Sequence, residues 1–212
     1  MSKILDKQYK LLLEREKRFA KNVVYLIRAQ TGRPWWHIFI PFKFLLEYRD
    51  LKKDIRNFSA THGQLKQIAL SAAYRTAAAN DRDKNQLAMQ AELRNFCVHT
   101  QKMASAEAYE LLKQWMDLLF QHYGRLLQVS ERDYSTLIRQ AYTSSGKYRS
   151  FLDQLNTLEQ RIDQAIQSAL EKRIEPPERM PSKGEGTDPY IRQKQEAIQD
   201  LRARELNDIF LL

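Results

Sequence analysis

Tyr148, Phe151, Leu155, Leu158, Ile162, Ala165 and Ala169 recur at spacings of three and four, and no Pro or Gly falls among them. Side chains at those intervals share one face of a 3.6-residue repeat, so the stretch suits an α-helix and little else. Ala108, Leu112, Trp115, Leu119, His122 and Leu126 obey the same rule. Leu5, Leu12, Phe19 and Leu26 recur every seven residues, two helical turns, with Leu11, Val23 and Ile27 widening the stripe. Only six Gly and six Pro stand among the 212 residues, so the chain has few places to turn. No run alternates with period two between hairpin signals. The expected fold class is all-α: a multi-helix bundle with a Pro/Gly-rich linker and a separate C-terminal helix.

The breakers set the boundaries. A first helix spans 3–30 and stops before Gly32 and Pro34. Residues 59–63 break the chain ahead of an Ala-rich helix at 64–79. Asn80 and Asp81 separate it from a helix at 83–101. The strongest interior helix covers 104–128. Ser130 reads as the cap of a short helix ending near 143, with Asp133 standing where a capping box prefers Glu. A turn at 143–146 leads to the helix at 147–173. Residues 174–189 hold four prolines, with Gly184 and Gly186 among them, which no packed helix tolerates. Asp188 and Pro189 read as cap and first residue of a last helix. The expected organisation is therefore a helical domain at 1–173, a linker at 174–188 and a weakly or trans-docked helix at 189–212. The 147–173 seam fits an intramolecular bundle or a homo-oligomeric coiled coil.

Charge is concentrated at one end. Residues 1–58 hold 14 Lys+Arg against 6 Asp+Glu, a net +8 of the chain's +9. Such a field favours an anionic partner. Within it, 34–48 contains two of the three tryptophans and the densest apolar run. A helix expected at 41–58 places Phe44, Tyr48, Leu51, Ile55 and Phe58 on one face. The other side carries Phe42, Leu45 and Leu46, then Arg49, Lys52, Lys53 and Arg56. Trp35, Trp36 and Phe39 precede it.

Interfacial helices join Trp, Phe and Leu to a border of Lys and Arg. Trp35, Trp36, Phe39, Phe42, Leu45, Leu46, Arg49, Lys52, Lys53 and Arg56 are thus the candidate binding residues for an anionic membrane surface. The same residues, with the C-terminal helix, suit docking on a protein partner. Nucleic acid ranks behind both, because Glu14, Glu16, Glu47, Asp50 and Asp54 interrupt the basic run and no docking motif stands in it. Burial of 35–48 under the other helices is the bland reading of the same residues.

Catalytic chemistry has no signature here. The residues three before His37, His62, His99 and His122 are Pro34, Ser59, Phe96 and Leu119, so no Glu-x-x-His pair exists. One cysteine and no close His pair argue against a zinc site. His122 falls on a core seam and reads as a hydrogen-bonded interior histidine; Cys97 reads as packing. No catalytic, cofactor-binding or metal residue is expected, and the sequence points away from an enzyme. The lone cysteine fits a reducing compartment. The charged N-terminus is no secretory signal, and no apolar run of 18 residues exists. The expected location is cytoplasmic, at the inner face of a membrane if the interfacial reading holds.

The stretch Pro34-Trp35-Trp36-His37-Ile38-Phe39-Ile40-Pro41-Phe42-Lys43-Phe44-Leu45-Leu46 resembles a motif in an uncharacterised family of helical proteins from anaerobic bacteria. The resemblance covers mainly the first 58 residues. It implies no activity, site or mechanism.

Overall fold

A computed structural model describes residues 2–30, 62–100, 105–131, 133–171 and 189–210. Among these residues there are seven α-helices and no strand, so the chain is an all-α bundle. The helices are α1 (Ser2–Gln30), α2 (Gln64–Ala79), α3 (Arg82–Asn95), α4 (Ala106–Gln128), α5 (Tyr134–Tyr142), α6 (Ser145–Glu171) and α7 (Pro189–Phe210).

Helix α4 is the axis of the core. Its expected seam residues Ala108, Leu112, Trp115, Leu119, His122 and Leu126 are all buried, and Met116, Phe120, Tyr123 and Leu127 extend burial around the helix. Helix α2 packs along it most extensively, then α6. The α2 face is built from Ala69, Ala72 and Ala73 beside Leu65 and Leu70. Small side chains let two helix backbones approach closely, and the packing there is dense.

Local chemistry places the helix ends. Asp81 accepts a hydrogen bond from the Lys84 backbone N–H at 3.2 Å and starts α3. Ser105 does the same for α4, with Ala108 N–H at 3.2 Å. The short helix α5 corrects the sequence reading: Asp133 itself is the cap, its Oδ1 2.9 Å from Thr136 N, and Ser130 lies outside the helix. The helix expected at 83–101 ends as α3 at Asn95 and widens into a π-helical turn at Phe96–Thr100. Residues 62 and 63, read as a break, are already helical.

The last helix also differs from expectation. It begins at Pro189 as expected, yet it does not stand apart. Helix α7 packs against α1, α6 and α5. Its Ala197 and Ile198 complete a second apolar cluster with Phe19, Ala20, Val23, Val24 and Ile27 of α1. Leu206 and Ile209 join the main core. The seam on α6 is likewise filled within the chain, with Tyr148, Phe151, Leu155, Ile162 and Ala165 buried.

Candidate functional site

The ten residues singled out from sequence, Trp35, Trp36, Phe39, Phe42, Leu45, Leu46, Arg49, Lys52, Lys53 and Arg56, lie outside the described residues, as does the helix expected at 41–58. Their flanks are described. Helix α1 leads into the segment. The chain is described again from His62, whose ring lies 5.4 Å from that of Trp115.

Helix α1 carries a feature that the apolar reading passed over. Lys3, Lys7, Lys10, Glu14, Lys17 and Lys21 follow one another at spacings of four and three, and all six are exposed. They form a single edge opposite the buried Leu12, Phe19, Val23 and Ile27. At 1.5 Å per residue the edge is about 27 Å long. Arg18 stands beside it. Glu14, the one acid in the row, is engaged by Lys17 at 2.8 Å. Lys21 lies 5.6 Å above the ring of exposed Tyr25, one turn further on. In the sequence this cationic edge precedes the aromatic and basic segment.

The bundle interior holds a second polar assembly. In the charged run Glu14 to Arg18, Arg15 and Glu16 turn inward. Glu16 Oε2 receives Lys66 Nζ at 2.7 Å, and its Oε1 accepts the Tyr123 hydroxyl at 2.8 Å. Arg15 Nη2 reaches Glu205 Oε2 at 2.8 Å. The other Glu205 oxygen accepts from Tyr134 at 2.9 Å and Tyr148 at 2.7 Å. Arg202 donates twice to Glu159, at 2.8 and 2.9 Å, and also to Asn156 Oδ1. Glu159 further accepts the Trp115 indole N–H at 3.1 Å. Arg15, Glu16, Lys66, Tyr134, Tyr148, Arg202 and Glu205 line a cavity of about 30 Å³, room for about one water.

Three cations face three carboxylates, so the assembly is neutral as a whole. Burial, the largest influence, pushes the Glu159 carboxyl up, but Arg202 together with the other nearby positive groups outweighs it and holds it at about 2. Glu16 behaves likewise: burial opposes ionisation, and Lys66 with the Tyr123 hydrogen bond and other nearby groups together lower it. Burial, with nearby carboxylates, drives the Tyr123 and Tyr134 hydroxyls well above their ordinary range, so both remain donors.

The two described interior histidines are held uncharged. Burial first, then Lys66 and other cations, lowers both His62 and His122 to about 3. His122 stacks on Phe151 at 4.2 Å between ring centres, and its Nδ1 lies 2.6 Å from the Tyr142 hydroxyl. It is the hydrogen-bonded core residue that its seam position implies. Cys97 is buried, and burial raises its thiol.

A general acid or base works best with a pKa near the operating pH. Glu159 at about 2 and the histidines at about 3 are far from it. What this interior does chemically is fix α1, α2, α6 and α7 in register through directional contacts. Among the described residues no three His, Cys, Asp or Glu side chains converge as a metal site would require. Nor is any described helix long and apolar enough to cross a membrane. No family model, no curated protein and no solved structure matches the chain.

Proposed function

We propose that the protein is a non-enzymatic, peripheral membrane-associated helical protein, held at an anionic cytoplasmic leaflet by the α1 lysine edge and the segment from Trp35 to Arg56. The observation that supports this best is the edge itself: five exposed lysines in one row leading into the chain's densest aromatic run. A Lys or Arg near an anionic leaflet is worth about 1 kcal/mol. Five lysines therefore amount to about 5 kcal/mol, reduced by Glu14 and by salt. Trp35, Trp36, Phe39, Phe42 and Leu46 would add on the order of 1 kcal/mol or more each on insertion. Lysine suits this role, because a flexible point charge attracts a fluid array of headgroups without fixed geometry.

Protein docking is the competing reading. Leu87 and Val98, 67% and 57% exposed, are the apolar side chains on the α3 side that favour it.

Vesicle sedimentation separates the two. The wild-type protein pellets with vesicles containing phosphatidylglycerol at low salt and stays soluble with pure phosphatidylcholine. Changing Lys3, Lys7, Lys10, Lys17 and Lys21 to Gln releases it without loss of helicity, since all five are exposed. Trp36→Ser with Leu45→Ser weakens the salt-resistant part of the binding. A wild-type protein left in the supernatant with anionic vesicles at low salt ends the membrane reading.

A further inference from the structure

A groove of about 770 Å³ opens where the N-terminal turns of α1 meet the C-terminal halves of α2 and α4. That lies within the roughly 300–1,000 Å³ typical of small-molecule sites. Leu5, Ala73, Phe120 and Leu127 give it an apolar part, with Ile4 half exposed, and Thr76, Asn80, Gln121, Gln128 and Ser130 are among its polar lining. The groove is open beside Gly124, where a Cβ built on the backbone meets nothing within 4 Å.

Two polar observations specify the occupant. Gln8 is 3% exposed and lines the groove, yet among the described residues its amide nitrogen has no hydrogen-bond partner. A buried donor left unmade is costly, and it calls for an acceptor. The groove is also lined by Arg82 and Arg125 and by no Asp or Glu. Arg125 also reaches over the Tyr142 ring, 5.6 Å from its centre. The C-termini of α2 and α4 bring roughly half a negative charge each, which two guanidinium groups exceed.

We propose that this groove binds an amphiphilic carboxylate. The alkyl chain lies along Leu5, Ala73, Phe120 and Leu127. The carboxylate accepts from Gln8 Nε2 and is neutralised by Arg82 and Arg125. Leu5 and Gln8 turn toward the bundle, on a different face of α1 from the exposed Lys3, Lys7 and Lys10, so the groove does not depend on the membrane reading.

Isothermal titration of the full chain with monomeric dodecanoate tests it. Dodecanoate binds saturably at one site, dodecanol binds several-fold more weakly, and acetate shows no binding. Gly124→Leu fills the open space and weakens dodecanoate by at least about tenfold, with helicity and melting temperature maintained. Gln8→Leu weakens it by about tenfold without lowering the melting temperature, because the orphan donor is gone. Arg82→Gln with Arg125→Gln lowers affinity for dodecanoate and leaves dodecanol unchanged. Absence of saturable binding to the wild type, or undiminished binding to both Gly124→Leu and Gln8→Leu, overturns the site. Dodecanol binding as tightly as dodecanoate overturns its anionic assignment.

Discussion

Arg202→Met should be among the costliest single substitutions on the surface of α7 that faces α6. Arg202 is 4% exposed and donates two short hydrogen bonds to Glu159. Removing the guanidinium leaves the Glu159 carboxylate enclosed without its paired cation, the Trp115 N–H still donating to it. Breaking one side of a buried pair costs about 3–5 kcal/mol. The Glu159 carboxyl gives an independent figure. It sits at about 2 against an ordinary 4.5, and each pH unit is about 1.4 kcal/mol, so ionisation contributes about 3 kcal/mol. A depressed carboxylate stabilises above its unfolded value and loses that contribution as pH falls from about 4.5 toward 2. Urea unfolding followed by helical ellipticity should show wild type and variant separated by about 3–5 kcal/mol at pH 7. The gap should close progressively below pH 4.5. Arg202→Met combined with Glu159→Gln keeps an acceptor for Trp115 and removes the stranded charge, so the pair should cost well under the sum of the singles. A gap below about 1 kcal/mol at pH 7, or one that does not change with acid, would refute the assignment of this contact.

The histidines carry the opposite proton chemistry. A base held at about 3 against an ordinary 6.5 keeps the folded state neutral while the unfolded chain takes up protons. Stability therefore falls as pH drops from 6.5 toward 3, by about 1.4 kcal/mol per pH unit for each histidine. His122→Phe should make that slope shallower by this amount, after an offset at neutral pH for the stranded Tyr142 hydroxyl; an unchanged slope between pH 6 and 4 would show that His122 protonates in the fold. Gly124→Ala should raise stability by about 0.5–1 kcal/mol, because the new methyl meets open space and an alanine favours the helix; a lower melting temperature would show the backbone there needs glycine.

The helices were legible because breakers and apolar spacing agree. Gln64–Ala79 falls where Gly63 and Asn80 place it, and Pro189 opens α7 as expected. The buried charges were not, since a scan for apolar periodicity counts a charge as surface. A signal was present all the same. Leu12, Glu16, Phe19 and Val23 are spaced four, three and four; Ile198, Arg202, Glu205 and Ile209 repeat the pattern. Lys66 stands four before Leu70 and three before Ala69. Charges at seam positions, equal in number and opposite in sign, are what a paired interior looks like in sequence. The docking of α7 was not legible because the Pro/Gly-rich stretch at 174–188 reads as a separating linker, while Arg202 and Glu205, which pair with Glu159 and Arg15, read as surface charges. Residue Asp133 was misplaced because Ser130 offers an equally good cap three residues earlier, and only the actual Thr136 N–H contact decides between them.

Sorting the charges by position changes what the net charge means. Arg15, Lys66 and Arg202 are matched inside by Glu205, Glu16 and Glu159. These six cancel, so the whole formal +9 belongs to the remaining residues. Salt acts unequally on the two populations: exposed charges are screened over about 8–10 Å at physiological ionic strength, and enclosed pairs far less. Added salt should therefore weaken the protein's binding to anionic vesicles, down to the apolar part, at concentrations that leave its unfolding midpoint nearly unchanged. The same treatment applied to Arg202→Met tests the partition itself. Its interior carries an uncancelled carboxylate that salt cannot reach, so its deficit in stability should persist at 0.5–1 M salt, roughly the range in which the screening length shrinks toward 3 Å. Recovery of that deficit with salt would place Glu159 in contact with solvent, and the neutral interior would have to be abandoned.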